Sequence, residues 1–357
     1  MGLFNFIKKK SNETSKKKEI CVEVKSIIPL TNESIKITFQ NENIPIDYFS
    51  FKAGQYTNIK ININNKTQIR SYSLCSKPKE EMAIAIKAIP NGLVSNYLKN
   101  SLKPGDEFNI TKPDGNFHIN EEDKKICSFA AGSGITPIFS IANDLENSEK
   151  KMRLYYGNKS IESTIFYNEI KTLKNTESEF CFSQNSSDDI KCRIDGEFIR
   201  KLIKKDPELL NSDKFLICGP ENMLIEVRDA LKEFDVNESK IIYELFTAPI
   251  KMETSSDKNE SKYIGESQVD ILLDGKNHQI IIPKNGPFIL DVAEKKGIEV
   301  PFSCRGGLCC SCRAKVIEGD VIMKINHALT DKEVSEGYTL ACQAIANSSK
   351  IKLNFDE

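Results

Sequence analysis

Between residues 19 and 119 the apolar positions come in short runs that alternate with polar ones: Ile20-Cys21-Val22-Glu23-Val24, Ser34-Ile35-Lys36-Ile37-Thr38-Phe39, Tyr56-Thr57-Asn58-Ile59-Lys60-Ile61 and Met82-Ala83-Ile84-Ala85-Ile86-Lys87. Turn residues (Pro45, Gly54, Asn64-Asn65 and Pro104-Gly105-Asp106) separate them. A two-residue period with such punctuation predicts half-buried strands, and their number and spacing an antiparallel β-barrel. From about residue 124 the texture changes. The run 125–131 predicts a strand that passes through a glycine loop into a helix over 138–145, and strands at 152–156, 180–182 and 215–218 alternate with helical segments around 163–174 and 221–234. Strand–helix alternation predicts a parallel sheet covered by helices. The polar stretch 252–262 interrupts both patterns and reads as a linker. The expected organisation is a basic leader (1–18), a barrel (19–120), an α/β domain (121–247), a linker (248–265) and a third domain (266–357).

At 357 residues the chain has room for two to three domains, and 39% hydrophobic content supplies each with a core. Fifty basic against fifty-one acidic residues leave a net charge of −1, with no global basic field for nucleic acid. No apolar stretch reaches the roughly 20 residues of a membrane span, so no stable membrane association is expected. The lysine clusters 8–10 and 16–18 read as a solvated, disordered leader or as a contact for an anionic surface. The opening Met1-Gly2-Leu3-Phe4-Asn5-Phe6-Ile7 lacks the long apolar core of a signal peptide, and Phe6 breaks the myristoylation pattern. A cytoplasmic location is expected.

Cysteine spacing carries the strongest chemistry. Cys304, Cys309, Cys312 and Cys342 stand with four, two and twenty-nine residues between them, the ligand pattern of a plant-type 2Fe-2S cluster. Three thiolates come from one turn and the fourth from a distant segment, while Gly306 and Gly307 allow the backbone to approach the cluster closely. A zinc site would pair its ligands as C-x2-C…C-x2-C, and disulfides would need an oxidising compartment. Cys310 is out of the spacing and is expected to point away from the cluster. Cys21, Cys75, Cys127, Cys181 and Cys192 read as buried small apolar residues. His118, His278 and His327 show no metal spacing and read as structural or exposed. A second signal is Ala131-Gly132-Ser133-Gly134-Ile135-Thr136-Pro137, where glycines between strand and helix let a phosphate meet unpaired N–H donors. The third glycine of the dinucleotide fingerprint is missing, and a glycine turn of this kind also occurs for purely structural reasons.

Arg70-Ser71-Tyr72-Ser73, Gly92-Leu93-Val94-Ser95, Gly132-Ser133-Gly134-Ile135-Thr136-Pro137 and Cys218-Gly219-Pro220-Glu221-Asn222-Met223 occur in the order seen in the ferredoxin-NADP reductase superfamily. The chain from about 20 to 247 resembles that superfamily, and the remainder resembles a fused plant-type ferredoxin. The domain order is similar to that of the reductase components of bacterial oxygenases. The tail Asn326-His327-Ala328-Leu329-Thr330…Gly337-Tyr338-Thr339-Leu340-Ala341-Cys342-Gln343 most resembles the reductase subunits of phenylacetyl-CoA epoxidases.

The resemblance implies an antiparallel flavin barrel, an α/β nucleotide domain and an α+β β-grasp ferredoxin domain. It implies FAD, a 2Fe-2S cluster and NADPH or NADH as donor. Arg70 would meet the flavin pyrophosphate, Tyr72 would lie along the isoalloxazine and Ser73 near its N5. Gly92, Val94 and Ser95 would hold phosphate at a helix start. Gly132, Ser133, Gly134, Thr136, Pro137, Gly219 and Pro220 would receive the nicotinamide dinucleotide, with Cys218 beside the nicotinamide C4. Lys159 would neutralise a 2′-phosphate, favouring NADPH. Glu244 and Phe246 of a terminal E-x-F would serve the reaction centre and cover the flavin. The residue-level alternatives are an ion pair for Arg70, a barrel aromatic for Tyr72, a buried strand-end thiol for Cys218, and a simple sheet ending for Glu244 and Phe246. The implied activity is an electron relay to an oxygenase partner, di-iron or Rieske. The alternative of another class is an iron–sulfur sensor or binding module that uses the cluster alone.

Overall fold

The computed structural model describes residues 19–40, 44–146, 148–184, 192–246, 263, 265–283, 286–298, 300–302, 305–307, 310–326 and 328–357. The expected leader, nearly all of the expected linker, and Cys304, Cys309 and His327 lie outside the described residues.

The first sheet consists of β1 (Ile20–Thr31), β2 (Ser34–Phe39), β3 (Tyr56–Ile63), β4 (Lys66–Ser73), β5 (Ala83–Lys87) and β6 (Glu107–Ile110), in the order β4-β3-β6-β1-β2-β5. Every pairing is antiparallel, and a bridge between Leu74 and Ile84 brings the two edges together. Asn64 and Asn65 turn β3 into β4 with φ of 53° and 60°, the left-handed pair that a two-residue hairpin requires and that asparagine tolerates. Ile37, Phe39, Ile59, Phe108 and Ile110 fill the interior, with α1 (Leu93–Asn100) sealing one end through Val94 and Leu98.

The second sheet is parallel throughout, ordered β11-β10-β7-β8-β9, from β7 (Lys125–Ala131), β8 (Lys151–Asn158), β9 (Thr176–Phe182), β10 (Lys214–Cys218) and β11 (Ile241–Glu244). Four helices, α2 (Ile135–Leu145), α3 (Tyr167–Lys171), α4 (Gly196–Lys205) and α5 (Glu221–Glu233), accompany it. Ile126 and Ala130 pack with α2 on one face, and Cys127 and Phe129 with α4 and α5 on the other; burial of both faces is why these strands read as nearly continuous apolar runs.

Three expectations are corrected here. The helical segment expected around 163–174 shrinks to α3, because Ser163 and Thr164 hydroxyls bond back to Ser160 O and Phe166 takes a left-handed φ of 60°. Cys181 and Cys192, read as buried apolar thiols, form a disulfide with Cα atoms 5.0 Å apart. Cys192 N donates to Phe182 O, which lays that segment beside β9. Cys21 is exposed rather than buried, since its strand turns that side chain to solvent.

The third sheet mixes directions. β12 (Ser267–Leu273), β13 (Lys276–Ile282), β14 (Arg313–Glu318), β16 (Tyr338–Leu340) and β18 (Lys350–Asn354) run in the order β13-β12-β18-β14-β16, with β12 and β18 parallel, while β15 (Val321–Met323) pairs with β17 (Ala344–Ala346). α6 (Ile289–Lys295) packs Ile289, Leu290 and Ala293 into the sheet's core, and α7 (Asp331–Ser335) precedes β16. This is the β-grasp arrangement.

Candidate functional site

Strand order brings three chemistries to one place. In a parallel sheet the carboxyl ends of the strands share one edge, and β10 and β11 end there in register at Cys218 and Glu244. Ser73, the last residue of β4 on the barrel, donates from Oγ to Glu244 Oε2 at 3.2 Å. Ser73, Cys218 and Glu244, which lie far apart in the chain, are thus neighbours across the boundary of two domains. Burial, and then the Glu244 carboxylate, push the Cys218 thiol well above its ordinary range, so it stays protonated and is no nucleophile. Burial also raises the Tyr72 phenol to about 12, against the pull of Arg70. Phe246 follows two residues after Glu244 and is 41% exposed.

The glycine loop closes against this edge. Gly132 to Gly134 form a short 3-10 turn feeding α2, whose start has no side-chain cap. A Cβ on Gly134 would stand 2.1 Å from Cys218 O, and one on Gly219 2.6 Å from Met223 Cε, so backbone contact demands the first glycine and a packed methionine crowds the second. Thr136 Oγ1 donates to Ser133 O at 3.1 Å and the Tyr156 hydroxyl to Gly132 O at 2.9 Å. Pro137 lies in the first turn of α2 and Pro220 at the start of α5. The donor-rich edge therefore fits a dinucleotide phosphate. Lys159 stands exposed just past the end of β8, on the same side of the sheet.

On the barrel, α1 also starts without a side-chain cap, at Gly92. A Cβ there would fall 2.5 Å from Ile89 Cγ1 and 2.6 Å from Ser95 Oγ. Asn96 Nδ2 holds the loop by donating to Ile89 O and Gly92 O, and Val94 and Ser95 are buried behind it. Arg70 Nη1 donates to Ile69 O at 2.7 Å and makes no ion pair among the described residues. An uncapped helix start and an arginine that pairs with no carboxylate among the described residues suit the pyrophosphate of a flavin dinucleotide.

Of the four spaced cysteines, Cys312 and Cys342 are described, and both are buried. Gly307, at φ 72°, presses within 2.6 Å of Ile325 O if given a Cβ, and Gln343 Nε2 donates to Arg305 O at 2.8 Å, tying the loop to the neighbour of Cys342. Buried thiols held by a tightly folded loop suit an iron–sulfur cluster. Cys310 is buried, its Sγ 3.6 Å from Ala328 O. This loop also touches the barrel: Ser311 Oγ lies 3.1 Å from Ser71 Oγ, and Ser71 is two residues before Ser73. Sequence reasoning assigned nothing to Asn58, Tyr56, Ser71 or Ser311, because contacts spanning about 240 positions leave no local signal.

Models of three families match: an oxidoreductase FAD-binding domain over residues 22–119, an oxidoreductase NAD-binding domain over 129–229, and a 2Fe-2S iron–sulfur cluster binding domain over 271–347. The chain is 31% identical over 339 residues to one of the subunits of the 1,2-phenylacetyl-CoA epoxidase of Escherichia coli K12, covering 91% of this chain and 94% of the relative. It is 27% identical over 353 residues to the ferredoxin reductase component of 3-ketosteroid-9-alpha-monooxygenase of Mycobacterium tuberculosis, covering 94% and 96%. Its fold matches phthalate dioxygenase reductase with a TM-score of 0.60 at 22% identity, over 94% of this chain and 98% of that one. With flavin, nucleotide and cluster domains all present, the module that would use the cluster alone is set aside. The chain belongs to the ferredoxin-NADP reductase-like family with a C-terminal 2Fe-2S ferredoxin domain, and it is an NAD(P)H-dependent oxidoreductase, the component that passes electrons from NAD(P)H through FAD and the cluster to an oxygenase.

Proposed function

We propose that this chain is the reductase of a phenylacetyl-CoA epoxidase, delivering electrons from NADPH to a di-iron oxygenase. FAD supplies the change from two-electron to one-electron chemistry, and the cluster carries electrons singly. Gly132, Ser133, Gly134, Thr136, Pro137, Gly219 and Pro220 would hold the dinucleotide at the sheet edge where Ser73, Cys218 and Glu244 meet. Arg70, Gly92, Val94 and Ser95 bind the FAD phosphates, and Tyr72 supports the ring. Glu244 accepts from Ser73 and holds it in place, and the exposed Phe246 would supply an aromatic face to cover a bound flavin. Lys159 favours NADPH by offering a charge to the 2′-phosphate. Cys304, Cys309, Cys312 and Cys342 ligate the cluster. The observation that carries this reading is the geometry of β4: two residues apart, it meets the nucleotide domain through Ser73 and the cluster loop through Ser71. The epoxidase partner rests on the 31% relative and on the tail residues 326–343.

Holoprotein mixed with the purified epoxidase oxygenase and phenylacetyl-CoA is expected to consume NADPH in step with epoxide formed. Consumption that stays at the oxygenase-free rate rejects the partner. A Rieske oxygenase is the second reading; restored turnover with such an oxygenase alone would select it.

A further inference from the structure

The cluster loop rests on the barrel through a closed set of polar side chains. Asn58 Oδ1 accepts from Ser71 Oγ at 2.6 Å and from Ser311 Oγ at 3.1 Å, and the two hydroxyls lie 3.1 Å apart. Asn58 is 8% exposed and Ser311 4%. Asn58 and Ser71 face each other in the β3–β4 register, whereas Ser311 sits between Cys310 and the spaced Cys312. Two further bonds flank the set: Cys310 N donates to the Tyr56 hydroxyl at 3.3 Å, and Asn116 Nδ2 donates to Ala328 O at 3.0 Å.

We propose that Asn58, Ser71 and Ser311 form a latch that seats the cluster loop on the flavin barrel, making them positioning residues for the one-electron step between the two sites. Such a latch selects a register more than it adds strength. Water would satisfy each group in separated domains, so each hydrogen bond contributes only about 1 kcal/mol net. A shifted docking would instead bury hydroxyls without partners, at a cost of about 1–3 kcal/mol apiece. The triad therefore penalises every docking but one. Because Ser71 and Ser73 are two residues apart on one strand, about 7 Å, the same strand fixes the cluster loop and the nucleotide edge relative to the barrel residues that would hold the flavin. The latch adds no chemistry: each hydride brings two electrons, which leave through the cluster in two single steps to the oxygenase.

The latch presupposes the flavin-to-cluster relay, and one experiment separates the two. Full-length holoprotein is mixed anaerobically with NADPH, and flavin bleaching and cluster reduction are followed at separate wavelengths. Asn58→Leu and Ser311→Ala are expected to bleach within about twofold of wild type yet reduce the cluster about tenfold more slowly, with ferricyanide reduction kept and cytochrome c reduction lost in proportion. Independently of turnover, a Ser71→Cys/Ser311→Cys variant is expected to cross-link on mild oxidation, read by mass spectrometry of the joined peptides. Iron content checks Ser311→Ala; if that variant loses its cluster, Asn58→Leu decides, and if neither folds, the cross-link does. Wild-type cluster reduction in Asn58→Leu, parallel loss of both phases, or no cross-link overturns the latch. Failure of wild type to bleach or to pass electrons onward overturns the relay itself.

Discussion

Gly134 shows how a single position carries function. The sequence marked it as part of a phosphate loop, but the reason it must be glycine is tertiary: a methyl group there meets the carbonyl of Cys218 at 2.1 Å. Gly134→Ala is expected to push the loop off the sheet edge and raise the KM for NADPH about tenfold, with flavin content unchanged; steady-state kinetics beside the absorbance ratio of the purified protein checks this. Ser73 was legible as a motif residue, and Glu244 as a terminal one, but only the fold pairs them. Ser73→Ala should slow flavin bleaching by NADPH about ten- to a hundredfold while leaving cluster content intact. Desolvation and a nearby carboxylate raise both the Cys218 and the Cys21 thiols, but Cys218 is buried and Cys21 exposed; alkylation by iodoacetamide at pH 8 in the native state is therefore expected to modify Cys21 and to spare Cys218.

At the scale of elements, β2, an alternating run, and β7, a nearly continuous apolar one, were read at their full length, because burial writes itself into the local pattern, whereas the run 20–24 stopped seven residues short of the end of β1. α4 was missed, although Asp195 caps it by accepting from Phe198 N at 2.8 Å and Ile199 and Ile203 face the core. A cap followed by that spacing was the available signal. Asp195→Ala is expected to cost about 1 kcal/mol, seen as a lower urea midpoint. Asp213 ties the start of β10 to β7 by accepting from the backbone N–H groups of Lys124 and Lys125, both at 2.8 Å. These bonds lower its pKa, so its contribution is present above the ordinary aspartate value near 4 and lost as pH falls through the lower folded value. Asp213→Ala should cost about 1 kcal/mol at pH 7, after discounting for solvent, and the gap to wild type should narrow at pH 3; denaturation curves at the two pH values test the sign.

At the scale of the whole molecule, what matters is how the domains are held. Ser140 on α2 is buried at the barrel–nucleotide boundary, where its hydroxyl donates to Ser76 O at 2.6 Å and accepts from Gly54 N at 3.4 Å. Ser140→Ala leaves the Ser76 carbonyl without that donor and is expected to lower the thermal midpoint by about 2 °C, and to slow flavin bleaching because the hydride edge and the barrel no longer hold one spacing. Among the described residues no helix is long and apolar enough to cross a membrane.

The chain by itself determined the kinds of domain, their order, the cofactor classes and the cluster spacing. Each of these is written in short stretches where backbone geometry or ligand chemistry restricts which residues are allowed. Only the tertiary structure decided that Ser73 meets Glu244, that Cys181 pairs with Cys192, and that Ser311 docks between Asn58 and Ser71. Those contacts join segments whose sequences place no constraint on one another until folding brings them together, and a polar side chain that is ordinary on an exposed strand becomes decisive once the boundary around it excludes water.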